Sequence, residues 1–230
     1  VCIQPNYATG NFPWGFAGQV MVTIWPDGTT GTGCTQQGVV LEIYTLSSSL
    51  PAFYHGVVPV KFLRTLVLPA KPVSSSQPWR EWAINALFTN FGFQYNIVDG
   101  SMKYAGGYDG GPFDLGRWVR GVNKSNLINC YDQAAIVQIA LGLGPDTDVE
   151  WMYMVPYGFI KPANLVGYPG KPCNSPFGQT VSNLNVLDTN TGRTFFRNHA
   201  FIKVNNYIAD ACAGPHLGTE TLRDYITNAI

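Results

Sequence analysis

The run Ile128-Asn129-Cys130-Tyr131-Asp132-Gln133-Ala134-Ala135-Ile136-Val137-Gln138-Ile139-Ala140-Leu141-Gly142-Leu143-Gly144-Pro145 reads as one helix with a cysteine in its first turn. Asn129 is a preferred N-cap residue, because its short side chain accepts from backbone N–H groups that a helix start leaves without partners. Asp132 and Gln133 put acidic and amide groups in the first turn, and Gly142, Gly144 and Pro145 supply the stop. Ala135, Ile136, Ile139, Ala140 and Leu143 recur at helical spacing, which predicts a helix buried in a core. Cys130 then stands at the positive end of a helix dipole, among free N–H donors, an environment that favours the nucleophilic thiolate.

A second stretch supplies partners for that cysteine. Residues 198–212, Asn198-His199-Ala200-Phe201-Ile202-Lys203-Val204-Asn205-Asn206-Tyr207-Ile208-Ala209-Asp210-Ala211-Cys212, read as a hairpin with Asn205-Asn206 as a two-residue turn of positive φ. Such a turn sets Val204 opposite Tyr207, Lys203 opposite Ile208, Ile202 opposite Ala209 and Phe201 opposite Asp210. His199 and Asp210 then project from one face as diagonal neighbours within hydrogen-bonding reach. A thiol at a helix start, a histidine on a strand and an acid beside it are the parts of a cysteine acyl-transfer site. The histidine moves the proton, and the carboxylate orients the imidazole and stabilises its charged form. The backbone N–H of Cys130 is one oxyanion donor, and the indole N–H of Trp118 or the side chain of Asn129 is a candidate for the second. Tyr131, Asn198 and His216 are candidates for lining the cleft.

Asn129-Cys130-Tyr131-Asp132-Gln133-Ala134, followed by Asn198-His199-Ala200-Phe201 and Tyr207-Ile208-Ala209-Asp210, resembles the transglutaminase-like superfamily, whose members order nucleophile, base and acid as Cys, His, Asp. The resemblance covers residues 76–230. It implies an α+β fold with a transglutaminase-like or papain-like core, in which the helix opened by the nucleophile packs on an antiparallel sheet. By the same likeness Cys130 is the nucleophile, His199 the base and Asp210 the orienting acid. No cofactor is expected, and no metal, since the three histidines lack a spacing such as His-Glu-x-x-His. The family includes cross-linkers, peptidases, amidases, deglycosylating amidases and members that have lost activity, so a reaction class is implied without a substrate. The tight hairpin between His199 and Asp210, and Cys212 just beyond the acid, depart from the family pattern.

The rest of the chain is expected to divide at 71–78, a Pro- and Ser-rich stretch. Residues 1–72 read as a β-rich region with strands at 18–25, 39–45 and 57–68, and 76–230 as the catalytic domain. Within the latter, Trp79, Trp82, Ala83, Ala86 and Leu87 follow helical spacing to about residue 90, with Ser76 as cap and Pro78 in the first turn. An extended segment at 91–98 and a mobile glycine-rich loop at 104–112 follow. Beyond the cysteine helix, strands are expected at 150–155, 157–160 and 183–187, with a loop over 167–179 and a turn at 188–192. A closing helix over 219–229 would dock through Leu222, Tyr225 and Ile226.

With 14 basic against 14 acidic residues, charge points to neither nucleic acid nor an anionic membrane. No apolar run approaches the roughly 18 residues of a membrane-spanning helix. Charged residues make up 12%, about half the usual share, and aromatics 13%, a texture commoner outside cells. Of the five cysteines, Cys2, Cys34, Cys173 and Cys212 are expected to form disulfides. Proximity favours Cys2–Cys34 and Cys173–Cys212, with Cys130 left free in an oxidising compartment. The chain opens on Val1 without a leader-like stretch, as after processing or trimming. The expected function is a secreted, cysteine-dependent hydrolase that opens a peptide or side-chain amide through a thioester, with a peptide or protein as substrate. One alternative is a cross-linking transglutaminase using the same residues. Another is a non-catalytic secreted module binding through Tyr7, Phe12, Trp14, Phe16 and Trp25.

Overall fold

A computed structural model describes residues 12–19, 22–24, 34–36, 38, 40–70, 75–107, 110–146, 148–155, 165–168 and 196–229. Helix and sheet are mixed, and the larger pairings are antiparallel. The described chain opens with Trp14–Gln19 (β1), Val22–Ile24 (β2), Cys34–Gln36 (β3) and Val40–Thr45 (β4); β1 pairs with β4 and β2 with β3, both antiparallel.

The strand expected at 57–68 is instead a helix, Val60–Leu66 (α1), entered from Pro59. Phe62, Leu63 and Leu66 fall on one side of it and are buried, which a strand of period two would not achieve. That face joins the core of the following segment. The indole of Trp82 donates to the Leu66 carbonyl at 3.0 Å, the ring of Phe62 meets that of Trp118 edge-on at 6.0 Å, and Tyr54 donates to the Ile139 carbonyl. One hydrophobic core therefore runs across the boundary expected at 71–78.

Ser76–Thr89 (α2) begins with Ser75 at the cap position and Pro78 in its first turn. Gln94–Tyr95 (β5) pairs in parallel with Leu127–Ile128 (β6), and between them lies Leu115–Gly121 (α3), a helix not expected from the sequence. Its start is capped by Asp114, whose side chain accepts from the Arg117 N–H at 2.8 Å. Cys130–Leu141 (α4) follows, then Val149–Met154 (β7), His199–Val204 (β8), Tyr207–Asp210 (β9), His216–Leu217 (β10) and Leu222–Ala229 (α5).

The last four strands form one antiparallel sheet in the order β10-β9-β8-β7, and α4 packs across β7, β8 and β9. Ala200, Phe201, Ile202 and Val204 of β8 are all buried, as befits an inner strand covered on both faces. Trp79 of α2 is fully buried against the end of α4, where a Cβ on Gly144 would stand 2.7 Å from the indole. Burial of such a side chain contributes about 2–3 kcal/mol, so α2 and the sheet hold α4 from both sides. The glycine-rich loop is not free either. Ala105 bridges Phe113, and the Gly106 N–H donates to the Pro112 carbonyl at 2.7 Å.

Of the three residues expected to dock the closing helix, Tyr225 is fully buried, whereas Leu222 and Ile226 are 37% and 42% exposed. The elements expected at 157–160, 183–187 and 188–192 lie outside the described residues, as do Tyr7, Trp25, Cys2, Cys173 and the side chain of Cys34. The disulfide expectation rests on these last three together with Cys212, which is buried.

Candidate active site

The start of α4 is built by the residues that the capping pattern names. The Asn129 side chain accepts from the N–H groups of Tyr131 at 3.0 Å and Asp132 at 3.2 Å, and the Asp132 carboxylate accepts from the Asn129 N–H at 3.2 Å. This capping box leaves Cys130 as the first helical residue, 4% exposed, with a free thiol. The N–H of a first helical residue has no acceptor within its own helix.

The hairpin adopts the expected register, with Val204 opposite Tyr207, Lys203 opposite Ile208 and Ile202 opposite Ala209, and Asn205 at φ 54°. As that register requires, His199 Nε2 meets Asp210 Oδ2 at 2.7 Å, with both side chains 2% exposed. Cys130 stands close enough to the imidazole to act on it through charge and hydrogen bonding. Burial by itself would drive the imidazole neutral, but the Asp210 charge and hydrogen bond, joined by those of Cys130, outweigh it and push His199 up to about 10. Asp210, which burial would raise, is drawn down to about 2 by His199, with help from His216 and the Cys212 N–H. The two shifts agree in sense: a charged pair is the resting form.

Of the cleft candidates, Tyr131 and Asn198, the chain neighbours of Cys130 and His199, come together, the Tyr131 hydroxyl donating to Asn198 Oδ1 at 2.8 Å. That bond orients the Asn198 amide and leaves its Nδ2 without a partner among the described residues. His216 is not at a rim. It is buried on β10 behind Asp210, with its Nδ1 on Glu220 and its ring edge-on to Tyr225 at 4.6 Å.

Neither candidate for the second oxyanion donor is placed for that role. Trp118 is enclosed by Phe62, Phe91 and Phe93. Asn129 spends its oxygen on the helix start and donates through Nδ2 to the Gly100 carbonyl at 2.9 Å. Both residues are accounted for by structure.

Three residues that sequence reasoning did not assign to the site also hold it. Asp132, 1% exposed, accepts from the N–H groups of Lys103, Tyr104 and Ala105, each at 2.7 Å, besides that of Asn129, and so ties the glycine-rich loop to the helix start. Burial pushes its carboxyl up, and these four donors offset part of that. Asp132→Ala strands them, two fully buried, and is expected to cost about 3–5 kcal/mol; urea unfolding measures it, and a loss under about 1 kcal/mol contradicts the clamp. Gln133 donates to the carbonyls of Leu87 at 3.1 Å and Ala211 at 2.8 Å, joining α2, α4 and the end of β9. Tyr225 donates its hydroxyl to Asp210 Oδ2 at 2.7 Å.

A cavity of about 430 Å³ opens along α4, walled by Tyr54, Phe113, Ala135, Gln138 and Trp151 among others. Its Trp151 wall stacks on Tyr131, the neighbour of Cys130, with ring centres 6.4 Å apart. The arrangement places a buried thiol at a helix start beside an imidazole that a carboxylate holds. No family model, curated protein or solved structure matches this chain.

Proposed function

We propose that the chain is a secreted cysteine-dependent acyl-transfer enzyme of the transglutaminase-like kind, which hydrolyses a peptide or side-chain amide through a thioester on Cys130. The observation that carries this reading is the 2.7 Å contact of the His199 imidazole with the Asp210 carboxylate, on an imidazole that Cys130 at the helix start also acts on. Burial of all three makes the arrangement costly unless it is used, because isolated buried charges are strongly disfavoured.

In this mechanism the Cys130 sulfur, its proton held on His199, attacks the amide carbon. The oxygen that becomes negative accepts from the Cys130 N–H, and the Asn198 amide, whose oxygen the Tyr131 hydroxyl holds, is the side-chain donor we assign beside it. His199 then gives its proton to the departing nitrogen as the C–N bond breaks, leaving the thioester and a free amine. Water next loses a proton to His199 as its oxygen bonds to the acyl carbon. The C–S bond breaks, the carboxylic acid departs, and Cys130 and His199 return to their starting state. A lysine amine in place of water would give an isopeptide cross-link by the same steps.

The test is a library of peptides and glutamine-containing proteins incubated with the chain, with and without a soluble primary amine, and read by mass spectrometry. Cleaved or deamidated products that vanish after iodoacetamide treatment of Cys130 support the reading, and the fraction of product carrying the amine measures transfer against hydrolysis. If products persist after alkylation, the chemistry lies elsewhere. If no product forms, while ligand binding is lost on changing Trp14 or Phe16, the chain is a binding module. That pair is stacked at 6.5 Å on β1, with Phe16 49% exposed.

A further inference from the structure

The C-terminal helix α5 is polar on most of its surface and sends one side chain, Tyr225, fully into the core. Its ring lies 5.0 Å from that of Phe201 and edge-on to His216. A core tyrosine needs a partner for its hydroxyl, and here the partner is the acid of the triad. The same Asp210 oxygen, Oδ2, accepts from His199 and from Tyr225, each at 2.7 Å. The other oxygen, Oδ1, accepts from the N–H groups of Cys212 at 2.7 Å and Ala213 at 3.2 Å. Four donors on one carboxylate match its acceptor sites and leave it a single orientation. With Tyr225 at 0% exposure, water has no route to replace its hydroxyl.

We propose that Tyr225 is a positioning residue of the triad: its hydroxyl fixes the Asp210 oxygen that His199 uses, so that docking of the C-terminal helix is part of assembling the site. The inference rests on the acyl-transfer reading of Cys130, His199 and Asp210. Among the described residues, the titratable groups that face Asp210 are His199 on β8, His216 on β10 with Glu220 beyond it, Tyr225 on α5 and, through His199, Cys130 on α4. Donors to the ionised carboxylate favour the charged form. Removing one therefore makes Asp210 easier to protonate, and the charged assembly is lost at a higher pH on acidification.

The experiment is alkylation of Cys130 by iodoacetamide in the full chain, with brief exposures from about pH 1.5 to 10 read by mass spectrometry, for wild type, Tyr225→Phe, Ile226→Ser and His199→Ala. Phenylalanine keeps the ring contacts and removes only the hydroxyl. In Tyr225→Phe the rate at neutral pH is expected to fall roughly tenfold, the size of one charge-assisted hydrogen bond, and the acid limb to move upward. Ile226→Ser, changed at an exposed position of the same helix, superimposes on wild type.

A Tyr225→Phe profile that overlays wild type in rate and limb overturns the inference. Lower thermal stability with an unmoved profile overturns it equally, since packing alone produces that. The wild type carries a second check by NMR, a hydrogen-bonded Tyr225 hydroxyl proton that shifts as Asp210 titrates; its absence also rules the inference out. If wild-type Cys130 reacts no faster than in His199→Ala, the acyl-transfer reading falls and takes this inference with it. If wild type passes that comparison while Tyr225→Phe is unchanged, this inference alone is lost.

Discussion

Cys130→Ala is expected to abolish turnover, by at least about 10⁴-fold on any substrate the chain accepts, while leaving the fold intact. The size follows from the role. No other side chain among the described residues stands both at a helix start and close enough to act on His199, so no group is placed to form the thioester in its stead. The stability half follows from what remains. The capping box is made by Asn129 and Asp132, the sheet contacts by Tyr131 and the residues after it, and the His199–Asp210 contact by two side chains that the substitution leaves in place. Thermal unfolding of the substituted protein should therefore stay within a few degrees of wild type. Retained turnover on a substrate that the native protein converts would remove Cys130 from the mechanism and leave the cleft without a nucleophile.

The two stretches that matter most for chemistry were also the most legible. A capping box is a local pattern, and Asn129, Cys130 and Asp132 declare it within four residues. The hairpin register follows from a two-residue turn, and once Val204 faces Tyr207 the meeting of His199 with Asp210 is geometry. What stayed hidden depends on distance along the chain. The partners of Asp132 in the glycine-rich loop lie 27 to 29 residues away, and Tyr225 reaches Asp210 across 15. Periodicity marks Tyr225 as a core residue without saying what its hydroxyl meets.

The helix α1 was masked by Val57, Val58 and Val60, whose branched side chains favour strand. The spacing of Phe62, Leu63 and Leu66 carried the opposite signal, and tertiary burial decided for it. Trp118 illustrates the converse error. An indole N–H can serve an oxyanion, but a tryptophan followed by Val119 in a helix is more simply explained as core, and three aromatic rings enclose it.

Asp210→Asn should cut turnover by about 10³- to 10⁴-fold and, more tellingly, change the pH range in which the site works. In the native protein His199 is raised to about 10 and Asp210 lowered to about 2. The raised imidazole contributes stability in full below its unfolded value near 6.5, and loses it as pH climbs through about 10. The lowered carboxyl contributes above its unfolded value near 3.8, and loses it as pH falls through about 2. Between these limits the pair is charged, and kcat/KM should be level across neutral pH and decline on the alkaline side towards about 10.

Asparagine removes the charge that opposes burial. Desolvation, already the largest single influence on His199, is then opposed by Cys130 without the Asp210 charge and carries the imidazole below its ordinary value. The imidazolium is then lost before neutrality, and the alkaline limb of activity moves to acid pH by several units. Since a buried pair loses about 3–5 kcal/mol when one partner is removed, the stability gap between the two proteins should be widest where both native groups are fully charged, from about pH 4 to 6.5, and close towards either extreme. NMR titration of the His199 ring reads the first effect, and urea midpoints across pH read the second. An unshifted His199 titration, with turnover within tenfold of wild type, would mean that Asp210 does not act on the imidazole. The 2.7 Å contact would then be packing alone.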